Sequence, residues 1–510
     1  MSRKAPALAA AAGLLAAVLT PSAVAAHAIG GTFQLPVPLW LFLAGAGIAV
    51  GASFVIIAVA SRHETGPAAY ATRSVPPRVA TATRIVLRVL GMAWWFGAIA
   101  AGIAVGDISP LPAVLLWIGI WVGLPIVAVL AGNPWPSLSP FRTTFAALEW
   151  VAGRTGLERL DLGLGYPQWL ARWPAVALLA GGIWAELILP GGEVAGTVAA
   201  FMIGYTLLTL LGMLAFGPVA WLRHAELFEV ELGWFGRIGP LTRRSVSGEL
   251  CGGCGESCDP QRCRDCPECA VAADDDERRP GLRPWVVGLT DVARPGWSDA
   301  AFIVLALAGV TYDGMAETAA GATLFNVIYP VVSAVLGPTS AVTFLLVETL
   351  ELGAVLGALL LAFVTVVAAT RVLSGRRAAQ PLGSLAGRYA ATLLPIAGGY
   401  LMAHYLTLVL QGAIWLPTLL ADPLMSVAPQ IDGIPIAAIW YLSVAAIVGG
   451  HVAGIVLAHR LTVADAPARA TVAGLPMVAL MIGYTVLSLW IIAAPIVVDP
   501  GAAPAAAMAR

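Results

Sequence analysis

All six cysteines of the chain fall in one run, CGGCGESCDPQRCRDCPEC, from Cys251 to Cys269. The spacing is C-x2-C-x3-C-x4-C-x2-C-x2-C. Cys251 with Cys254, and Cys266 with Cys269, each offer half of a tetrahedral thiolate site for zinc, and the glycines and prolines between them permit the turns that bring sulfurs together. Cys258 and Cys263 complete the set of candidate ligands. Cys263, Cys266 and Cys269 also match the first three cysteines of a ferredoxin-type loop, but no fourth follows at that distance. An iron–sulfur cluster would therefore draw on Cys251, Cys254 or Cys258. Structural zinc is the expected cofactor and the cluster its alternative.

A second set of chemically capable residues lies in apolar surroundings. Asp313 and Glu317, in VTYDGMAET, are four apart and share a helix face; Glu348 and Glu351, in LLVETLELG, are three apart inside a long apolar run. His404 stands in GGYLMAHYL, and His451 and His459 in GGHVAGIVLAH. Ionisable side chains in hydrocarbon cost several kcal/mol unless paired, liganded or wet, so they mark functional sites by default. Convergence of Glu348, Glu351, Asp313, Glu317 and His404 would suit either of two chemistries. A divalent metal bound by them would polarise a phosphoryl oxygen and activate a water. Without a metal, crowded carboxylates relay protons coupled to transport. A haem held by His404 and His451 is a third reading, weakened by their different depths. Glu186, near the end of an apolar run, is expected at the interface.

The elements that must position these groups are membrane helices. With 59% hydrophobic and only 11% charged residues, and a mean hydropathy of +0.86, the chain has too little polar surface for a soluble protein of this length. A net charge of -1 argues against a nucleic-acid partner. Arg3 and Lys4, an apolar run to Leu19 and the small residues of PSAVAAHA read as a signal peptide over 1–26. Cleavage after Ala26 would leave His27 as an amino-terminal chelator of metal.

Ten further runs are long enough to cross a bilayer of about 30 Å. They are placed near Pro38–Ala60, Val89–Val105, Pro112–Gly132, Pro174–Leu189, Val194–Gly217, Ser298–Thr318, Ser340–Thr370, Ala390–Gln411, Ile434–His459 and Thr471–Ile496. With the mature start outside, 25 of the 28 basic residues fall in the alternate, cytoplasmic connections. The cysteine run then lies in a reducing compartment, where thiolates are available as ligands.

The expected fold is therefore an all-α polytopic bundle with a first membrane half at 27–217, a cytoplasmic connector at 218–297, a second half at 298–496 and an outer tail at 497–510. The second half is inverted relative to the first, as inverted-repeat transporters require, although no sequence repeat links them. Within the connector, WLRHAELFEVELGWFGRIGP reads as a helix along the inner interface with its aromatics at headgroup depth.

AHAIGGTFQLPVPLWLF, GNPWPSLSPFR, WLRHAELFEVELGWFGRIGP, TYDG, GGYLMAHYL and GGHVAGIVLAH together resemble a family of polytopic bacterial membrane proteins commonly labelled fenitrothion hydrolase-like. The resemblance implies a bacterial inner-membrane protein that hydrolyses a phosphotriester, releasing a nitrophenol from an organothiophosphate. It brings no residue roles with it. Soluble phosphotriester hydrolases hold two metals with an H-x-H pair and further histidines, whereas this chain has six scattered histidines and no such pair. Hydrolysis here would need the carboxylate-rich site, with Glu348 and Glu351 as ligands or base. The expected partners are the bilayer and either an apolar small molecule or a transported ion, with transport the alternative to hydrolysis.

Overall fold

The computed structural model describes residues 33–34, 37–60, 73–157, 159–245, 278–289, 295–375, 381–425, 429 and 435–498. The expected signal peptide, His27, all six cysteines and residues 499–510 lie outside them. In chain order the helices are α1 (Leu39–Ala60), α2 (Pro77–Ala104), α3 (Leu111–Leu130), α4 (Pro140–Arg154), α5 (Trp173–Leu187), α6 (Ala195–Phe216), α7 (Pro218–His224), α8 (Leu227–Phe235), α9 (Trp297–Ala316), α10 (Ala319–Leu336), α11 (Ala341–Leu373), α12 (Leu382–Ala421), α13 (Ile436–Asp465) and α14 (Ala470–Ile496). Among the described residues, sheet is confined to one two-stranded and one three-stranded set of short strands. The chain is an all-α polytopic bundle in which, among the described residues, ten helices are long and apolar enough to cross a membrane.

Those strand pairs distinguish the two faces of the bundle. β1 (Phe33–Gln34), before α1, pairs in parallel with β5 (Val497–Val498), after α14, so the described chain begins and ends on one terminal face. On the opposite, connector face, β2 (Arg73–Ser74), β4 (Arg278–Leu282) and β3 (Leu241–Ser245) form a three-stranded antiparallel sheet. The Leu241 N–H also donates to the Ala131 carbonyl, beyond α3, at 2.8 Å. Arg388, early in α12, reaches Asp465, at the end of α13, at 2.9 Å.

These contacts fix which helices cross. After α1, α2 and α3 the chain stands on the connector face, and it is there again at β3. Since α6 crosses, α5 must cross as well, although its 15 residues span only about 22 Å. By the same parity α9 leads to the terminal face, and α11 to α14 return the chain there at β5. α10 therefore begins and ends on the terminal face. Among the described residues ten passes between the two faces of the bundle result, five on either side of the connector.

Two local departures from the sequence reading follow. The connection expected between Thr318 and Ser340 is helical: Thr318 caps α10, its hydroxyl accepting from the Ala320 and Gly321 amides. Val327, Val331 and Val335 form an exposed stripe along α10, 65%, 70% and 81% accessible, the pattern of a helix with one face toward lipid. The second departure is α8, expected along the interface. Leu227, Phe228, Trp234 and Phe235 are buried inside the bundle. Phe228 sits among Trp95, Trp121, Trp135 and Tyr205, with ring centroids 5.2 to 6.5 Å apart. That aromatic cage, together with a satisfied N-cap at Glu226, holds the segment in the core.

Helices that face lipid lack a hydrophobic force toward one another, so close backbone approach and interhelical hydrogen bonds hold them. Trp95 Nε1 donates to Thr206 Oγ1 between α2 and α6, and Trp184 Nε1 to Thr349 Oγ1 between α5 and α11, both at 2.9 Å. α12 and α13 meet through glycines on both sides. A Cβ on Gly399 would stand 2.3 Å from the Ala446 carbonyl oxygen, and one on Gly450 would stand 2.3 Å from that of Pro395. Gly449, one position away, has open space beside it. Gly450→Val is thus expected to lower stability by about 1–3 kcal/mol, read as a lower Tm in detergent, whereas Gly449→Val leaves Tm near that of the parent. Equal effects would remove the close α12–α13 contact as a source of stability.

Candidate functional site

Near the terminal end of α9, two adjacent residues face different neighbours. The Tyr312 hydroxyl reaches α11 and donates to the Glu348 carbonyl at 3.3 Å. Asp313 faces α12, where His404 and Tyr405 both meet its Oδ2, the imidazole Nε2 at 2.9 Å and the phenol O–H at 2.8 Å. The two rings stand edge to face, 4.7 Å apart at 79°. Their junction is tight because Gly314 lacks a side chain; a Cβ there would come within 2.5 Å of Ile491 and 3.1 Å of both His404 Cε1 and the Tyr400 hydroxyl. Glycine at 314 thereby lets α9, α12 and α14 close around the carboxylate.

Asp313 also lines a cleft of about 360 Å³ between α9, α10 and α11. Glu348 and Glu351 face it from α11, Phe325 and Asn326 from α10, and Tyr312 from α9. Glu351 is buried and Glu348 half-buried. The structure therefore brings three of the five expected site residues, Asp313, Glu348 and Glu351, to one space. His404 stands behind Asp313, outside the cleft wall. Glu317 stands at the surface end of α9, where partial loss of hydration around its carboxyl and the neighbouring Asp313 charge raise its pKa above the usual carboxylate range while His404 opposes them. Among the described residues no three His, Cys, Asp or Glu side chains gather closely enough to hold a metal ion. The five-residue shell is spread over a cleft, its back wall and a helix end.

The histidine pair expected for haem does not face a common space. Tyr400 and Tyr484 lie between them, the ring centroids running His404–Tyr400 5.9 Å, Tyr400–Tyr484 6.1 Å and Tyr484–His451 6.0 Å. His451 is fully buried, with Nδ1 2.8 Å from the Ile447 carbonyl, and His459 packs edge-on against Phe54.

Beside and below the cleft lie acids that the spacing of the sequence does not single out, Glu186 at the terminal end of α5 and Glu226 and Glu231 toward the connector face. Glu186, expected at the interface, instead faces the interior from α5, bonded to the Trp121 side chain and within electrostatic range of Asp313 and Glu231. Trp121 is held there by a π-helical stretch of α3, Val114–Gly123, the kind of local widening that recurs at functional sites. Glu226 caps α8. Its Oε1 accepts from the Tyr205 hydroxyl at 2.5 Å and the Phe228 amide, and its Oε2 from Trp135 Nε1 at 2.9 Å and the Glu229 amide. Glu231, one turn further, is buried and its Oε2 has no hydrogen-bond partner. The signal available in the sequence was the charge itself: three glutamates in six residues among aromatics.

No family model, curated protein or solved structure matches the chain.

Burial pushes the Glu226 carboxyl up to about 7, against the opposing Tyr205 bond and with the Glu229 charge adding to it. Burial, then the Glu226 charge, pushes Glu231 up to about 8. The folded chain thus keeps protons here that an unfolded chain, with carboxyls near 4.5, has released. Their contribution to stability is whole below that value and is lost as pH rises through 7 to 8. Stability, read as Tm, is expected to fall from about pH 6 to about pH 9, the unfolding free energy dropping by on the order of 3 kcal/mol, and to fall less in Glu231→Gln. Parallel pH profiles for the two proteins would show that Glu231 ionises at no cost to the fold.

Proposed function

We propose that the chain is a proton- or ion-coupled carrier of the bacterial inner membrane, with Asp313 as its coupling carboxylate. One observation carries the reading: Asp313 lines the terminal-face cleft while its Oδ2 holds Tyr405, whose ring lines a second space toward the connector face. An ionised Asp313 accepts from both His404 and Tyr405. Protonation removes the charge that strengthens both bonds, so they weaken and the contact between α9 and α12 changes with charge. Glu348 and Glu351 make the cleft acidic and suit it to a cation or a protonated solute. Five passes on either side of a connector, the second five inverted relative to the first, support the same reading, and the distribution of basic residues favours a cytoplasmic connector and an outer terminal face.

Hydrolysis of a phosphotriester is the second reading, favoured by the hydrogen bond between Asp313 and His404. Asp313, on the cleft wall and held from behind by His404, would then be the general base that activates water in the cleft. An apolar ester would enter beside the lipid-facing valines of α10.

Proteoliposomes enclosing a pH-sensitive dye separate the two. Wild-type protein is expected to carry protons down an imposed gradient, with Asp313→Asn slowing flux by about a hundredfold. Unchanged flux in Asp313→Asn rejects the carrier reading. Release of a nitrophenol from a chromogenic phosphotriester, lost in both Asp313→Asn and His404→Gln and unaccompanied by proton flux, establishes the second reading in its place.

A further inference from the structure

The space below Asp313 measures about 40 Å³ and carries Glu186 from α5, Glu231 from α8 and Tyr405 from α12 on its wall. A water needs roughly 10–15 Å³ of such room and two to four polar partners, and the two carboxyls and the phenol supply them. Glu231 contributes a carboxyl oxygen that is buried and unpartnered, in a residue only 7% exposed. Buried polar atoms without partners are rare and costly, so such an atom beside open room points to water or a proton as its occupant. Tyr405 closes the upper end, donating to Asp313 Oδ2 across the boundary with the cleft.

The titratable groups around this space are Glu186 of α5, Glu231 of α8 with Glu226 behind it, Asp313 of α9, and Tyr405 and His404 of α12. α3 contributes Trp121 and Val122, and no lysine or arginine is on the wall. A passing cation therefore meets acids at every stage.

We propose that Glu186, at the terminal end of α5, and Glu231, toward the connector face, continue a proton path that begins at Asp313 and is gated by the Tyr405 hydroxyl, an inference that rests on the proton-coupled reading above. In the gating step the O–H of protonated Asp313 breaks as its proton passes to the Tyr405 oxygen. The O–H of Tyr405 breaks with it, and that proton passes through water in the cavity to the Glu186 carboxylate. Asp313 ends ionised, Glu186 protonated and Tyr405 restored, so one proton has moved and net charge is unchanged. The same water passes the proton on to Glu231, which delivers it toward the connector face.

Dicyclohexylcarbodiimide, which modifies protonated carboxyls in apolar surroundings, tests the path on wild-type protein without any transport measurement. Mass spectrometry of the peptides is expected to find label on both Glu186 and Glu231, with the label on Glu231 declining from about pH 6 to about pH 9. In proteoliposomes Glu186→Gln and Glu231→Gln are each expected to slow proton flux by about tenfold or more, with Glu231→Asp recovering part of it. Gel filtration and Tm verify that each variant is folded; should Glu231→Gln fail to fold, the label and Glu231→Asp decide. Absence of label from both carboxyls overturns the path. Full flux in both glutamine variants, with Asp313→Asn still inactive, overturns the path and leaves Asp313 as coupling residue. Absence of flux from wild-type protein overturns both.

Discussion

A carboxylate inside an apolar bundle needs donors or a charge partner close by, because neither lipid nor packed helix replaces its hydration. At Asp313 those donors come from one neighbouring helix, His404 and Tyr405 in succession on α12, and both end on the same oxygen. Much of the surrounding structure follows from bringing α12 that close. Gly314 clears the approach on α9, and Gly399 and Gly450 let α13 press against the far side of α12. Tyr400 and Tyr484 fill the gap toward His451.

The same demand recurs at the connector face with a different solution. Glu226 is met by four donors and serves as the cap of α8, so its charge is absorbed into the architecture. Glu231, on the same short helix, is given no such partner at Oε2 and faces a space with room for water. A buried acid with all its donors supplied is a structural element. A buried acid left open toward water is placed to exchange a proton, and the proposed path draws on that contrast.

The spans were legible in the sequence because length and hydropathy suffice for helices that meet lipid, and the three acids of the cleft because charge is conspicuous in an apolar run. Glu348 and Glu351 stood out for that reason, and they share the cleft with Asp313. What the sequence could not convey was which face meets which neighbour. Helices apolar all round carry little periodicity, so nothing in GGYLMAHYL announces that His404 and Tyr405 share one oxygen of Asp313. α10 escaped notice since the residues between Thr318 and Ser340 satisfy the charge pattern equally well as a loop. α8 was placed at the interface because aromatics mixed with glutamates have the composition of a headgroup helix; its burial depends on Trp135 and Tyr205, 91 and 21 residues away from Glu226 in sequence.

In the proposed carrier one carboxyl, Asp313, gains and loses a proton while held between His404 and Tyr405. Infrared difference spectroscopy across a pH step reads this directly, through the stretch of a protonated carboxyl group. A band is expected that vanishes in Asp313→Asn and shifts in both Tyr405→Phe and His404→Gln. A band present in Asp313→Asn, or unmoved by the loss of either donor, would contradict it.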